Sequence, residues 1–448
     1  MMRGAKPLVS PTQYLAAVNV LSSALGFAQG IVTARQMGPE AYGVIAVIAA
    51  TNATVLNSLD VRLADLAGKL YYRPSQASLS ELRAYRASVL QICLIGNGLI
   101  SLGLSILGFL ASLIFIRTLT ATPVHTQWLL AQSLILALAN WSNSFDYLQR
   151  FSGRFYLMGT WRLATRVATV GLFFAIFLPA GNLDGYYHAL LSATGLGLAM
   201  TASLSVWIWL KYERFPLLRR GLWLAGSDYG REFRFLFFGN LLGYVKMLHR
   251  GSDVLVVGFF ADDRITGLYK LTRSLTDSLY VLFDALNQVY YPRFMELLSR
   301  HSFAEYRRLA GRLFAYTGGF TLAVLGLEAI FLPQLMRIAL ANRFAGAEDA
   351  IMIMTVPFMF VAGVYTWMWP VFVHSGRLAR YTAYSLLACL AQYAVMIGLF
   401  VVWPPTPLAA ALGYLTHYCV LIPLAYLLLA QSGYAPCLPG VRAKAAVA

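Results

Sequence analysis

The chain has 448 residues, of which 59% are hydrophobic and only 12% charged, a usage far outside that of soluble domains. Its formal charge of +16 comes from 35 Lys and Arg against 19 Asp and Glu. The basic residues stand between apolar runs and not in an aromatic-interleaved cluster, which argues against nucleic acid as a partner. The apolar runs are mostly near 20 residues or longer, enough for an α-helix to cross about 30 Å of hydrocarbon and too long for β-barrel strands, so the sequence predicts an all-α polytopic membrane protein.

The amino terminus, MMRGAKP, is basic and leads into an apolar segment that runs directly on to a second one, so it reads as an uncleaved first helix and not as a signal peptide. Twelve spans are predicted, near residues 13 to 34, 41 to 66, 87 to 116, 124 to 147, 156 to 179, 186 to 210, 233 to 260, 265 to 290, 312 to 333, 349 to 374, 379 to 403 and 408 to 430. Loops after even-numbered spans, with the two tails, hold 20 of the 35 basic residues, among them Arg73, Arg83, Arg86, Arg219, Arg220, Arg307 and Arg308. By the positive-inside rule both termini are expected in the cytoplasm.

Shifting the chain against itself by half its length pairs Gly43 with Gly267, Asp60 with Asp284, Ser78 with Ser302, Glu81 with Glu305 and Arg83 with Arg307. Ser78-x-x-Glu81 and Ser302-x-x-Glu305 are capping-box patterns, each expected to start a short cytoplasmic helix. Two six-helix lobes follow, residues 1–222 and 223–448, pseudo-symmetric about an axis along the membrane normal.

The far-side hairpins are short and offer as polar chemistry only Asp184, Asp262, Asp263, Glu348 and Asp349, too little for a membrane polymerase or ligase of lipid-linked sugars. There is no GxxxxGK[ST] phosphate loop. Cys93, Cys389, Cys419 and Cys437 have neither metal-ligand nor redox spacing. The reading is therefore a protein that is not an enzyme and uses no cofactor or metal.

The charges inside spans concentrate between Lys246 and Asp284. In the seventh span Lys246, His249, Arg250 and Asp253 share one helix side, and in the eighth Lys270, Arg273, Asp277 and Asp284 do so. Each charge at a bilayer centre costs roughly 2.5–3.5 kcal/mol, so facing polar stripes imply a hydrated cavity or an ion-paired seam. A hairpin turning at Asp262 and Asp263 would set Arg250 level with Asp277, and Asp253 level with Arg273. Lys246, Arg250 and Arg273 are the candidate substrate-binding cations; Asp253, Asp277, Asp284 and Asp60 are the candidate ion-pair and gating carboxylates. Asn52, Asn57 and Asp65 near span 2, and Asn19, Ser22, Ser23 and Gln29 in span 1, either line a cavity or make interhelical hydrogen bonds. Asp146, Arg162 and Arg166 are placed near the cytoplasmic surface. Pro357 and Pro370 should kink the tenth span.

Two segments go beyond general physics: ARQMGPEAYGVIA, from Ala34 to Ala46, and RGSDVLVVGFFADDRITGLYKL, from Arg250 to Leu271. Through Arg35, Gly38, Pro39, Glu40, Tyr42 and Gly43, and through Arg250, Asp253, Gly267 and Tyr269, the chain resembles bacterial polysaccharide flippases of the lipid-linked O-antigen type. These belong to the multidrug/oligosaccharidyl-lipid/polysaccharide exporter superfamily. Met37 and Ala261-Asp262 depart from the leucine and Leu-Gly usual there.

The resemblance implies two six-helix lobes around a central cavity, alternating access, and an undecaprenyl-pyrophosphate-linked oligosaccharide moved from cytoplasm to periplasm. Polysaccharide polymerase and chain-length proteins of the inner membrane would be partners. A cation-coupled drug exporter of the same superfamily is the runner-up, and a membrane polymerase or ligase stands third.

Overall fold

The structure, a computed structural model, describes residues 11–58, 79–119, 124–151, 154–213, 244, 247–249, 251–374 and 377–430. Every described element is helical. Eight of the described helical segments are long and apolar enough to cross a membrane. Two more of spanning length, Thr126–Phe151 and Asp263–Ser299, carry much of the polar chemistry described below. The protein is an all-α, multi-pass membrane protein, as the composition predicts.

The chain forms two compact units, residues 1–29 with 47–247, and residues 30–46 with 248–448. The lobe boundary drawn from sequence at 222/223 lies outside the described residues, as do Asp60, Asp65 and Ser78.

In the first unit, the first helix, α1 (Pro11–Ser58), contributes its two ends. It is followed by α2 (Leu79–Leu119), α3 (Thr126–Phe151), α4 (Phe155–Ala180) and α5 (Leu183–Ile208). Helix α3 packs on α2 and α5, and α4 packs on α5. Small and hydroxylated residues make these seams, as expected where lipid removes the hydrophobic drive between helices. Asn52 Nδ2 donates to Ser112 Oγ at 2.8 Å, Ser133 Oγ donates to Asn52 Oδ1 at 2.7 Å, and Gly108 leaves room for that oxygen. Asn140 Nδ2 donates to Ser101 Oγ at 2.8 Å, and Asn97 Nδ2 to Ser144 Oγ at 2.6 Å. Of the two readings open for Asn52, packing is the one realised.

The second unit holds α6 (Asp253–Phe260), α7 (Asp263–Ser299), α8 (Phe303–Ile338), α9 (Glu348–Phe360), α10 (Thr366–His374), α11 (Leu378–Val402) and α12 (Pro407–Ala430). Residues 30–46 complete it. There α1 breaks at Gly38, whose φ of 78° is open to glycine and followed by Pro39 at a helix start. The break strands carbonyls of the preceding turn, and Arg343 Nη1 donates to two of them, Arg35 O at 3.1 Å and Gln36 O at 3.3 Å. Ala34 and Tyr42 are buried with Leu268, Leu271, Leu332, Met336 and Phe344.

The half-repeat has a physical counterpart here. A Cβ on Gly43 would fall 1.8 Å from Asp263 O, and one on Gly267 would fall 1.9 Å from Pro39 O. The repeat offset carries one contact onto the other, since 267 − 43 and 263 − 39 each equal 224. The contact is reciprocal, as a local two-fold axis requires, and only glycine permits it.

Two expectations are corrected. The short helix expected at Ser302 is the first part of α8, a single run of 36 residues or about 54 Å. Nothing between Phe303 and the apolar stretch breaks it, and Ser302 sits at the N-cap without a side-chain cap bond. The tenth span carries a π turn, Val361–Tyr365, between Pro357 and Pro370. Such a turn absorbs the backbone bond lost at a proline.

Candidate functional site

Two polar sites stand out, one within each unit. In the second unit, Asp262 caps α7 by accepting from Ile265 N at 2.8 Å, and this tight turn sets Asp253 and Arg273 at one level. Arg273 Nε lies 3.1 Å from Asp253 Oδ2, and Nη1 lies 3.5 Å from Asp277 Oδ1. Asp253 also accepts from the Tyr269 hydroxyl at 2.8 Å and from Val254 N at 3.0 Å. It opens α6, where a carboxylate is favoured by the helix dipole. The Tyr414 ring lies 4.6 Å from the Arg273 guanidinium carbon. Side-chain exposures of 3% for Arg273 and 0% for Asp253 make this a sealed pair.

Of the cations named from sequence, Arg273 thus faces two carboxylates. Lys246 and Arg250 lie outside the described residues, as does the side chain of Asp284. Asp277, matched by depth with Arg250, is found beside Arg273, one helical turn away on α7, with its side chain about half exposed.

Next to this pair is a buried ring cluster. His249 stacks on His417 at 3.6 Å between centroids and on Tyr414 at 4.9 Å. Its Nδ1 is 2.8 Å from Gln392 Oε1 and its Nε2 is 2.8 Å from the Tyr418 hydroxyl.

The second site is a cavity of about 410 Å³ within the first unit, lined from α1 and α3 to α5. Ser22 and Gln29 of α1, Asn143 and Asp146 of α3, Arg162 and Arg166 of α4, and Thr194 of α5 all face it. Arg162 Nη2 bonds Asp146 Oδ2 at 2.9 Å, and Nη1 bonds Asn19 Oδ1 at 3.3 Å. Arg166 Nε donates to Ser22 O at 3.3 Å, and among the described residues no carboxylate pairs with it. A Cβ on Gly26 would fall 2.3 Å from Arg166 Nη2, so this glycine makes the space the guanidinium occupies.

Two lining hydroxyls, Ser22 Oγ and Thr165 Oγ1, are buried without a hydrogen-bond partner among the described residues, a costly state that a ligand would relieve. Two arginines against one aspartate leave the cavity with one net positive charge. Asp146, Arg162 and Arg166, placed by the sequence near a surface, here converge on one cavity. Ser22 and Gln29, which the sequence reading set on the cavity of the charged stripes in spans 7 and 8, line this first-unit cavity.

No protein-family model matches the chain, and no curated protein matches it. Solved structures do. The lipid II flippase MurJ, in an inward closed conformation, matches with a TM-score of 0.64 at 14% identity, over 93% of this chain and 87% of that one. The eukaryotic MATE transporter AtDTX14 matches with a TM-score of 0.62 at 14% identity, over 94% of each chain. The MATE multidrug transporter DinF-BH matches with a TM-score of 0.60 at 13% identity, over 97% of this chain and 100% of that one. At such identities the likeness is one of fold: the chain has the transporter fold shared by MATE proteins and MurJ.

Proposed function

We propose that this protein is a flippase. It carries undecaprenyl-pyrophosphate-linked oligosaccharide units from the cytoplasmic to the periplasmic leaflet of a bacterial inner membrane by alternating access, for O-antigen or lipopolysaccharide assembly. Both termini are cytoplasmic in this reading, polymerase and chain-length proteins act beside it, and the lobes divide near residues 1–222 and 223–448.

The observation that carries the proposal is the first-unit cavity. It is net positive, with the Arg166 guanidinium free of any carboxylate among the described residues and flanked by hydroxyls and amides. A pyrophosphate-linked sugar bears about two negative charges and many hydroxyls, and a planar guanidinium is the side chain best matched to phosphate. Lys246 and Arg250 supply further cations for the head group. Arg273 with Asp253, Asp277, Asp284 and Asp60 forms the ion-pair set that holds one state and releases in another. Outward movement of such an anion is favoured by about 2.3 kcal/mol per charge per 100 mV, inside negative.

The fold likeness supports a drug exporter equally well, and the charge of the cavity distinguishes the two readings, because a cationic drug would meet Arg166 with no compensating acid. The test is translocation of a fluorescent lipid-pyrophosphate-linked oligosaccharide in proteoliposomes, beside efflux of a cationic dye. We expect protein-dependent movement of the lipid, reduced at least tenfold in Arg166→Gln, and no movement of the dye. Dye efflux without lipid movement would establish the exporter instead.

A further inference from the structure

The outer face of α8 carries charges that the substrate reading leaves unused. On one side of this helix Tyr306, Ala310, Leu313, Thr317 and Thr321 are buried, where α8 packs on α7, α9 and the π turn. At about 100° per residue, Arg308, Arg312 and Tyr316 fall on the other side, within an arc of about 80°. All three are exposed, Tyr316 by 72%, and the exposed Leu327 and Ile330 continue the stripe. From Leu313 to Met336 the one charged residue is Glu328. That stretch is about 36 Å long, slightly more than a hydrocarbon core of about 30 Å. Arg312 therefore stands at head-group level, with Arg308 one turn further out and Tyr316 one turn deeper, where an aromatic ring belongs.

Among the described residues neither arginine has an ion-pair partner. Glu305, exposed in the first turn of α8, lies beyond Arg308 on the side away from the bilayer. Nearby Arg300, by contrast, is paired with Glu296 at 2.7 Å. Residues four apart on a helix have Cβ atoms about 5–6 Å apart, so both guanidinium groups reach a single phosphate, whose oxygens match their planar forks. An acidic protein segment would satisfy the arginines alone. An occupant that matches the whole stripe has an anionic head at Arg308 and Arg312 and an apolar body against Tyr316, Leu327 and Ile330. Beside Tyr316 run the exposed Ala315, Gly319 and Ala323, small residues that let such a body lie close to the backbone, and no other element lies within 4 Å of a Cβ built on Gly319.

We propose that Arg308 and Arg312 grip the phosphodiester head group of an anionic phospholipid of the surrounding leaflet, whose acyl chain lies along Tyr316, Gly319 and Ala323. This lipid is a bound component of the second unit and not the cargo. Its recognition combines a pair of fixed cations at the membrane surface with an apolar strip directly beneath them, so a zwitterionic phospholipid, whose phosphate is neutralised by its own amine, gains little there.

The test needs no transport, so it is independent of the flippase reading. The full chain in detergent is titrated with phosphatidylglycerol and, separately, with phosphatidylcholine, and bound lipid is counted by native mass spectrometry. An arginine beside anionic head groups is worth about fivefold in affinity, so Arg308→Gln combined with Arg312→Gln should weaken phosphatidylglycerol binding about 25-fold. Phosphatidylcholine binding and the melting temperature should not change. Arg293→Gln combined with Arg300→Gln removes the same charge from exposed positions nearby and should weaken phosphatidylglycerol no more than about twofold. Phosphatidylglycerol binding unchanged in the first double variant, or weakened equally in both, overturns the proposal. So does tighter binding of a lipid-pyrophosphate-linked oligosaccharide that is lost in the first double variant, which would make the stripe a station for the cargo.

Discussion

The two units use the same chemistry to opposite ends. In the first, Arg162 and Asp146 pair at 2.9 Å with side chains 25% and 28% exposed, and a second arginine stands beside them with donors to spare. In the second, Arg273 and Asp253 pair at 3.1 Å with exposures of 3% and 0%, and Tyr269, Tyr414 and Asp277 close the set. An arginine–aspartate pair is thus not a function in itself. Open to a cavity and joined by an extra cation, it can receive an anion; sealed and neutralised, it holds helices in place until the seal is broken.

The largest expected effect comes from breaking the sealed pair. Asp253→Ala leaves Arg273 buried without its principal counter-charge, a change that costs about 3–5 kcal/mol in such settings. Melting in detergent and the yield of folded protein should both fall. The double variant Asp253→Leu with Arg273→Met should recover much of the loss, because an apolar pair of similar volume replaces a costly ionic one.

Next in size is the glycine contact. Gly267→Ala or Gly43→Ala drives a methyl group into a backbone carbonyl, which no side-chain rotation relieves. We expect a loss of about 1–3 kcal/mol, seen as a lowered melting temperature. Gly26→Ala makes the informative contrast, since its methyl would meet only the end of Arg166. It should leave stability nearly unchanged and weaken ligand binding by displacing the guanidinium.

Smaller still in stability, though large in function, is Arg166→Gln. Melting should hold within about 0.5 kcal/mol, while lipid-linked saccharide affinity drops at least tenfold, equivalent to about 1.4 kcal/mol. Arg166→Lys should restore only part of the affinity, because a point charge lacks the planar fork. At the small end, Ser22→Ala and Thr165→Val remove hydroxyls that have no hydrogen-bond partner among the described residues. They should be neutral or slightly stabilising and reduce affinity no more than a few-fold.

The sequence made some of this legible. The Asp253–Arg273 contact could be read because a hairpin turning at Asp262 sets two residues at one depth, and Asp262 does cap the returning helix. The break at Gly38-Pro39 was legible because glycine and proline act on the backbone locally. The first-unit cavity was not. Hydropathy locates Arg162 and Arg166 near the start of a span, yet it does not show that neighbouring helices enclose that level. Gly26 was the available signal, and a glycine that makes room for a guanidinium looks the same in sequence as one that makes room for a helix. The histidine stack was hidden for a similar reason: His417, Tyr414 and Tyr418 sit in a run that reads as apolar, and their meeting with His249 depends on tertiary packing.

The contrast between the two arginines is tested most directly by measuring ligand affinity and melting temperature together, in nanodiscs, for Arg166→Gln and Arg273→Gln. The ligand is a lipid-pyrophosphate-linked oligosaccharide. We expect Arg166→Gln to lose at least tenfold in affinity at an unchanged melting temperature, and Arg273→Gln to lose melting temperature first. Affinity retained in Arg166→Gln, or lost in Arg273→Gln at an unchanged melting temperature, would contradict the division of roles between the two units.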